Sequence, residues 1–209
     1  MTESPNNSTS FSILEGSTCE LPCWNNIVPA GTSEKEFLDV ITKLKYVDQE
    51  SIGEINISSK NYDKVVSLLI GPSKNQGSAV EVHVYIKNNT VIAINFLGET
   101  GLSVGYLILT TGEPQYLLSM TLPGNYNVTT LLNESQGLAY EHASYQGAIK
   151  LNENSSITGL FLYPSNLYNE LMDEGFFSMG LYNRNESLSI MYPWDGYGNI
   201  AEKYPPRQP

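Results

Sequence analysis

The chain has 209 residues, of which 41% are hydrophobic, so it can bury one large core or two small ones. Its 22 Asp+Glu outnumber its 11 Lys+Arg and give a formal net charge of -11. This acidic balance excludes a basic stripe for nucleic acid and opposes contact with an anionic membrane surface.

Residues 1–13 are expected to form a flexible tether, because Met1 to Ser12 is rich in Pro, Asn, Ser and Thr and has little to bury. This stretch has neither the basic start nor the apolar centre of a signal peptide. No run of the chain approaches the roughly 20 apolar residues of a membrane span. If the protein is exported, we expect its signal, and any N-terminal membrane anchor, to lie outside this numbering.

Cys19 and Cys23 are the two cysteines of the chain, and three residues separate them. In an oxidising compartment, cysteines this close usually form a disulfide, which would fasten the tether to the domain. A redox motif more often has two intervening residues, and two thiols without a nearby His make a poor zinc site. The prediction is a structural disulfide, with a redox pair and free thiols as alternatives.

The clearest helix begins after Ser33, which can form a capping box with Glu36. One apolar face is predicted by residues at helical spacing, namely Phe37, Val40, Ile41 and Leu44.

Strand patterns follow this helix. Glu54–Ser58 and Val65–Ile70 are β-like, with a short helix as the alternative for Val65–Ile70, and Val80–Ile86 alternates with period two. Lys87-Asn88-Asn89 can turn and Val91–Phe96 returns, which predicts a β-hairpin.

A second cycle starts with a short helix candidate at Leu102–Leu109, which ends before Gly112-Glu113-Pro114. Further strands are predicted over 116–120, 128–132, 138–142, 148–151 and 157–163, and a helix over 165–172. Helices alternating with hairpins, with strands in excess, predict an α+β fold with a mostly antiparallel sheet and a few short helices. The cycle suggests two tandem helix-plus-hairpin modules, over 14–100 and 101–200, packed together before a tail over 201–209.

Eight Asn-x-Ser/Thr sequons occur, which is more than composition predicts. They indicate either a glycosylated exported protein or an Asn- and Ser-rich composition with sequons arising in loops. Their positions are Asn6, Asn7, Asn56, Asn88, Asn127, Asn133, Asn154 and Asn185.

Four short motifs carry a family resemblance. The segment 22–32 reads PCWNNIVPAGT, and three motifs follow it in order: Gly112-Glu113-Pro114, Gly137-Leu138-Ala139-Tyr140 and Trp194-Asp195-Gly196-Tyr197-Gly198. In these motifs the chain resembles exported and lipid-anchored bacterial proteins with a PCW-x-x-I-x-P-G-x-T type motif, over about residues 19–199. Ala30 lengthens the Pro-Gly spacing of that motif by one residue. The helix with a hairpin behind it is more loosely similar to the modules of BamE-type assembly lipoproteins and β-lactamase-inhibitor proteins. The resemblance implies an extracellular or cell-envelope location and carries no catalytic residue across.

Gly101 to Gly105 spells G-x-S-x-G after a strand and before a helix, which is typical of a hydrolase nucleophile at Ser103 with His142 as its base. Such a serine should follow its strand directly and belong to a parallel sheet. The acids between Ser103 and His142 are Glu113, Glu134 and Glu141, and none is an Asp. Ser103 as a helix N-cap is the favoured interpretation.

The two histidines lie in separate predicted hairpins. His83 shares a strand face with Glu81 and Tyr85, and His142 follows Glu141. A metal site formed by both histidines and a carboxylate requires these hairpins to be neighbours. Solvent-facing strand residues are favoured, and we predict no metal and no cofactor.

Acidic residues offer two further hypotheses. Asp173, Glu174 and Asp195 are the best candidates for the carboxylate pair of a glycosidase. Asp195–Asn199 resembles a calcium loop in composition alone, because the alternating ligands of an EF-hand are absent from its sequence.

Aromatic residues in predicted turns could contact a protein partner or stack on sugar rings. They are Trp24, Tyr192, Trp194, Tyr197 and Tyr204. The alternative is that Trp24 and Trp194 cap the two ends of the core.

The sequence thus favours a non-catalytic exported binding or scaffold protein of the cell envelope. Its sheet face or aromatic turns would contact a protein partner. A carbohydrate-binding module and a hydrolase, either a serine esterase on Ser103 or a glycosidase, are the alternatives. An enzyme is not favoured.

Overall fold

The computed structural model describes residues 11–55, 59–71, 79–122, 124, 126–145, 150–178 and 181–205. Several predictions lie outside the described residues: most of the tether over 1–13, the predicted strand ends at Ser58 and Ala148, the end of the tail over 201–209, and the sequons at Asn6, Asn7 and Asn56.

Helices and strands are short throughout the described chain. The α-helices span Glu34–Ile41 (α1), Val104–Thr111 (α2), Tyr168–Asp173 (α3), Arg184–Ile190 (α4) and Ile200–Lys203 (α5). The strands span Val47–Ile55 (β1), Lys64–Ile70 (β2), Val80–Lys87 (β3), Thr90–Leu97 (β4), Tyr116–Leu122 (β5), Tyr126–Asn133 (β6), Leu138–Tyr145 (β7), Lys150–Leu151 (β8), Gly159–Leu162 (β9), Met191–Pro193 (β10) and Gly198–Asn199 (β11). Short 3-10 turns span Glu134–Gln136, Ser165–Leu167 and Phe176–Ser178.

Nine strands form one sheet in the order β1-β2-β3-β4-β9-β7-β6-β5-β10, and β8 pairs with β11 apart from it. Every pairing in both sheets is antiparallel. This confirms the predicted α+β fold with a mostly antiparallel sheet. One half of the large sheet holds the four strands that follow α1, and the other half holds five, namely β9, β7, β6, β5 and β10. Strands β4 and β9 meet at the centre. The division into modules over 14–100 and 101–200 stays a prediction, because one continuous sheet runs through both.

The hairpin of β3 and β4 follows from local sequence. Asn88 and Asn89 have φ angles of 49° and 57°, the left-handed values that a tight two-residue turn requires. Along β3 the side chains alternate, so that Val82 and Val84 are fully buried while Glu81 is exposed. The predicted hairpin is confirmed.

Two hydrophobic clusters lie on opposite faces of the large sheet. On the first face, α1, α2 and the N-terminal segment cover the sheet, and Phe37, Leu107 and Trp24 pack with Val84, Ile94 and Phe96. On the second face, α3 and α4 cover mainly the later half, where Leu171, Met172 and Ile190 pack with Phe161 and Tyr163. Burial of both faces is the main stabilising contribution to such a sheet.

Helix α1 begins as predicted. The Ser33 hydroxyl accepts a hydrogen bond from the Glu36 backbone N–H, and the Glu36 carboxylate accepts one from the Ser33 backbone N–H. The Ser33 hydroxyl also donates to the Glu36 carboxylate at 2.6 Å. This bond and the one from the Ser33 backbone N–H lower the pKa of Glu36, because they stabilise its ionised form. Phe37 and Ile41 bury the apolar face.

Four local predictions are corrected. The first strand begins at Val47 instead of Glu54, and the helix predicted over 165–172 divides into a 3-10 turn and α3. Helix α4, capped by Asn183 and Glu186, has no counterpart in the prediction. Ile13, assigned to the tether, is fully buried, and its N–H donates to the Thr100 carbonyl at 3.0 Å.

One sequon lies in the core. Asn133 is 1% exposed, and its Nδ2 donates to the carbonyls of Thr111 and Gly112 at 3.0 and 3.3 Å. In this folded state the Asn133 amide joins α2 to β6 and offers no surface for a glycan.

Candidate functional site

The two cysteines form a structural clamp at the start of the domain. Cys19 and Cys23 are joined by a disulfide with their Cα atoms 5.8 Å apart, which confirms the predicted pairing. The Asn26 backbone N–H donates to Cys19 Sγ at 3.3 Å, so the closed loop also holds the turn that follows it. With both sulfurs bonded, a structural role is favoured over free thiols or a zinc site.

Trp24 is buried, which corrects its assignment as a contact residue. Its side chain is 0% exposed, and its indole Nε1 donates to the Ile13 carbonyl at 2.9 Å. Its ring meets Phe96 edge to face with centroids 5.1 Å apart. Trp24 therefore connects the N-terminal segment to the sheet and presents no ring to a partner.

The C-terminal aromatic residues do come together. Trp194 stacks on Tyr204 at 6.3 Å and meets the edge of Tyr197 at 5.7 Å. Tyr204 is buried, while Trp194 and Tyr192 are half-buried and Tyr197 is 38% exposed. Burial, reinforced by nearby carboxylates, raises the pKa of Tyr197. Tyr197 and the outer edge of Trp194 thus remain candidate contact residues.

The loop at 195–199, which resembled a calcium loop, is closed by a side chain of the protein. Lys203 Nζ donates to the carbonyls of Asp195 and Tyr197 and lies 3.5 Å from an Asp195 carboxylate oxygen. An ammonium group therefore already takes the oxygen ligands that a bound cation would need.

Ser103 caps α2, as its favoured interpretation predicted. Its Oγ accepts a hydrogen bond from the Tyr106 backbone N–H at 3.2 Å. His142 Nδ1 lies 2.7 Å from the carbonyl oxygen of Ser156, the residue that pairs with Ser103 in an antiparallel bridge. Because a carbonyl only accepts, Nδ1 carries the proton. Ser103 and His142 thus flank Ser156, but no hydrogen bond joins their side chains, both of which the structure describes.

The two histidines lie on opposite faces of the sheet. His83 follows Glu81 on the second face, with Nε2 2.7 Å from Glu81 Oε1. His142 lies on the first face, because it follows Leu138 and Tyr140 at two-residue intervals along β7 and both of these are buried in the first-face cluster. The sheet therefore separates them, and the described residues contain no group of three or more His, Cys, Asp or Glu that could hold a metal ion.

The candidate glycosidase carboxylates are each engaged locally. Asp173 lies 4.0 Å from the Arg184 guanidinium, and Glu174 accepts a hydrogen bond from Ser59 Oγ at 3.0 Å. Asp195 sits in the C-terminal loop beside Lys203.

The outer side of α2 is a surface that the sequence did not reveal. Leu109 is 86% exposed and Tyr106 is 45% exposed, although the helix VGYLILTT contains no charged residue. These two residues lie three positions apart and so share one side of the helix. This side of the helix thus leaves two large side chains in solvent without a charged neighbour on the same helix.

Two grooves flank this side of α2. The first, of about 810 Å³, contains Ser103, Glu15 and Glu99 in its walls, and the second, of about 330 Å³, contains Glu20 and Thr110. Leu14 and Tyr106 line both, so the grooves meet at this pair. We call these two grooves together with Leu109 the α2 surface; every charged residue in its groove walls is acidic.

The α2 surface could not be predicted from the sequence, because the helix lies in a long run of almost entirely apolar residues. In Leu102–Leu109 nearly every position is apolar, so periodicity cannot tell which side is covered. The signal that could have helped is the spacing of Tyr106, Leu109 and Thr110, which places them on one side.

Comparison with protein-family models, with curated proteins and with solved structures gives no match. Among the described helices, none is long and apolar enough to cross a membrane.

Proposed function

We propose that the protein is a non-catalytic binding protein whose α2 surface takes a segment of a partner protein that carries both apolar and basic side chains. The observation that supports this most directly is Leu109, 86% exposed on an uncharged helix beside acid-lined grooves. Burying such a side chain in a complex contributes roughly 1.5 kcal/mol or more.

Charge selects the kind of partner. The charged residues in the groove walls, Glu15, Glu20 and Glu99, are all acidic, and the chain has a formal net charge of -11. Charge complementarity of this kind steers encounter and disfavours acidic competitors. A basic side chain of the partner would lie in a groove while its apolar neighbour covers Leu109 or Tyr106.

The proposal places the protein outside the cell or at the surface of the cell envelope. What supports this location is the Cys19–Cys23 disulfide, because such bonds persist mainly in oxidising compartments.

The binding experiment uses three short peptides as probes: one that alternates Leu and Lys, one that alternates Gly and Lys, and one that alternates Leu and Glu. Fluorescence anisotropy at physiological salt should show the Leu-Lys peptide binding most tightly. Leu109→Gln should weaken that binding by about tenfold, because the partner loses one buried leucine contact.

Leu188→Gln is the matched control. Leu188 is also an exposed leucine, 47% exposed on α4, and lies away from the α2 surface. Equal losses for both variants, or equal affinity for the Leu-Lys and Gly-Lys peptides, would show nonspecific attraction to an acidic protein and would overturn the proposal.

The second candidate function is a serine hydrolase. The observation that favours it is the position of Ser103 in the larger groove, with His142 bonded to its bridge partner Ser156. A fluorophosphonate probe that labels the wild-type protein but not Ser103→Ala would favour hydrolysis over binding alone.

A further inference from the structure

A small cavity opens between the second face of the sheet and the 3-10 turn Phe176–Ser178. Its volume is about 20 Å³, enough for a single water-sized group. Polar side chains in its wall are Asn95, Thr130 and Glu141, and the rings of Phe161, Phe176 and Phe177 complete it.

Glu141 reaches this cavity because its strand neighbour has no side chain. In the sheet, Glu141 lies opposite Gly159 on β9 and opposite Thr130 on β6. A Cβ atom on Gly159 would come within 2.9 Å of Glu141 Oε2, so the carboxyl group occupies the space that glycine leaves. The sequence therefore places a carboxyl group over the sheet among apolar neighbours.

No cation of the described residues balances this carboxyl group. The ion pairs of the described chain involve Glu34, Glu54, Glu81, Asp173 and Asp195, and none involves Glu141. The Thr130 hydroxyl lies beside it without a well-formed hydrogen bond, and burial is the larger effect, so the pKa of Glu141 is raised. Glu141 is half-buried, and partial desolvation of a carboxylate without a charged partner is unfavourable, so a bound cation would offset that cost.

The aromatic wall suits a cation as well. Phe161 and Phe176 have ring centroids 5.1 Å apart, and Phe161 and Phe177 have theirs 6.0 Å apart at 80°. The faces of such rings attract an ammonium group through their quadrupole, most strongly where water is excluded. Carboxylate and amide oxygens accept the three hydrogen bonds that such a group donates.

We propose that this cavity binds one primary ammonium group, R–NH₃⁺, with Glu141 as its counter-ion and the three phenylalanine rings around it. The head group of a primary amine matches the size of a single water, whereas a guanidinium or a quaternary ammonium group does not. The site lies on the face opposite the α2 surface, so it stands independently of the function proposed above.

The test is a titration with methylammonium chloride, followed through the side-chain carboxyl carbon of Glu141 in ¹³C-labelled protein. The signal should shift to saturation at millimolar concentrations. Tetramethylammonium and guanidinium should bind about tenfold more weakly or less, because neither fits a water-sized cavity. A shift that grows without saturation, or that is equal for tetramethylammonium, would overturn the proposal.

Three variants separate the site from general attraction to an acidic protein, with binding followed by neighbouring backbone signals. Glu141→Gln should weaken methylammonium binding by about tenfold or more, since it removes the charge-assisted hydrogen bonds. Phe176→Leu should weaken it several-fold while keeping an apolar wall. Glu113→Gln, an exposed acid elsewhere, should change nothing. Unaltered binding in Glu141→Gln would refute the assignment.

A second ligand identifies the source of the ammonium group. Nα-acetyl-lysine amide that binds as tightly as methylammonium would indicate a lysine side chain of a polypeptide. Binding of methylammonium without binding of the lysine derivative would indicate a free small amine.

Discussion

The backbone of Tyr163 closes over Gly137 at the end of the β6–β7 hairpin. The Tyr163 N–H donates to the Gly137 carbonyl at 2.9 Å, and the Tyr163 carbonyl fills the space in which a side chain at position 137 would begin. Gly137 also has a φ of 66°, in the left-handed region. Two separate constraints thus require glycine where β7 enters the sheet.

Gly137→Ala should therefore destabilise the protein by more than the backbone strain of a left-handed alanine alone. An alanine with left-handed φ costs roughly 1–2 kcal/mol, and the forced backbone shift should add about 1–3 kcal/mol. Urea unfolding followed by circular dichroism measures the loss. Gly16→Ala is the control, because Gly16 has a φ of 74° and, beyond its two chain neighbours, no residue within 4 Å of the added Cβ. Equal losses for the two variants would show that the contact with Tyr163 is unimportant.

The two tryptophans should respond differently to replacement. Trp24→Phe removes the donor to the buried Ile13 carbonyl, which costs about 1–3 kcal/mol, and leaves a cavity beside Phe96 as well. Trp194→Phe retains an aromatic ring against Tyr204 and should cost under about 1 kcal/mol. Unfolding midpoints in urea test both.

Fluorescence quenching provides the independent control for the tryptophans. In Trp194→Phe the remaining emission comes from the buried Trp24 and should resist acrylamide. Strong quenching of that emission would contradict the burial of Trp24.

Removal of the disulfide should have a modest effect. Cys19 and Cys23 are four positions apart, and the loop-entropy relation gives about 2 kcal/mol for a loop of this length. The double variant Cys19→Ser with Cys23→Ser should unfold at a lower urea concentration. Adding reductant should bring the wild-type midpoint to that of the double variant and leave the variant unchanged. A wild-type unfolding midpoint that does not change on addition of reductant would contradict a stabilising disulfide.

Glu141 should make stability depend on pH. Burial raises the pKa of Glu141 above the ordinary value of a glutamate, so the folded state holds this proton more firmly than the unfolded chain. The stability due to protonated Glu141 is fully present below the unfolded pKa and is lost as pH rises through the folded pKa. Glu141→Gln should remove this loss, so that its free energy of unfolding exceeds the wild-type value most at neutral pH.

The matched comparison for this pH effect is Glu113→Gln, an exposed acid. Parallel unfolding curves across the acidic range should give a wild-type profile for Glu113→Gln and a flatter one for Glu141→Gln. A Glu141→Gln profile that tracks the wild type would mean that the carboxyl group is well solvated.

Local patterns predicted the elements better than their arrangement. The alternation of Val82 and Val84 with Glu81, the Asn88-Asn89 turn and the Ser33 cap each act within a few residues, and each prediction is confirmed. Strand β9 inserts between β4 and β7 and so pairs with β4, which lies more than sixty residues earlier in the chain. No local signal determines this pairing. The prediction of Trp24 as a contact residue was wrong for the same reason. Turn residues surround Trp24 in sequence, whereas its burial depends on Ile13 and Phe96.

The candidate sites show a similar division. Spacing predicted the disulfide of Cys19 and Cys23, because so short a separation needs no tertiary information. The cavity at Glu141 depends on Gly159 and on rings from a separate turn, so no single stretch of sequence contains it. The exposure of Leu109 could not be predicted, because its neighbours in the sequence of α2 are also apolar.

The central position of β9 has a consequence for assembly. In the described part of the sheet, its two halves pair through the four residues Gly159–Leu162, and two backbone hydrogen bonds, from Gly98 to Thr158 and from Thr100 to Ile157, continue this boundary. A chain cut in the loop between Leu97 and Leu102 would leave β4 with a bare edge in one fragment and β9 with a bare edge in the other. Edges of this kind present unpaired backbone N–H and C=O groups, which can pair with another strand. Two separately produced fragments should therefore reconstitute the native sheet on mixing, with β9 acting as the recognition strand.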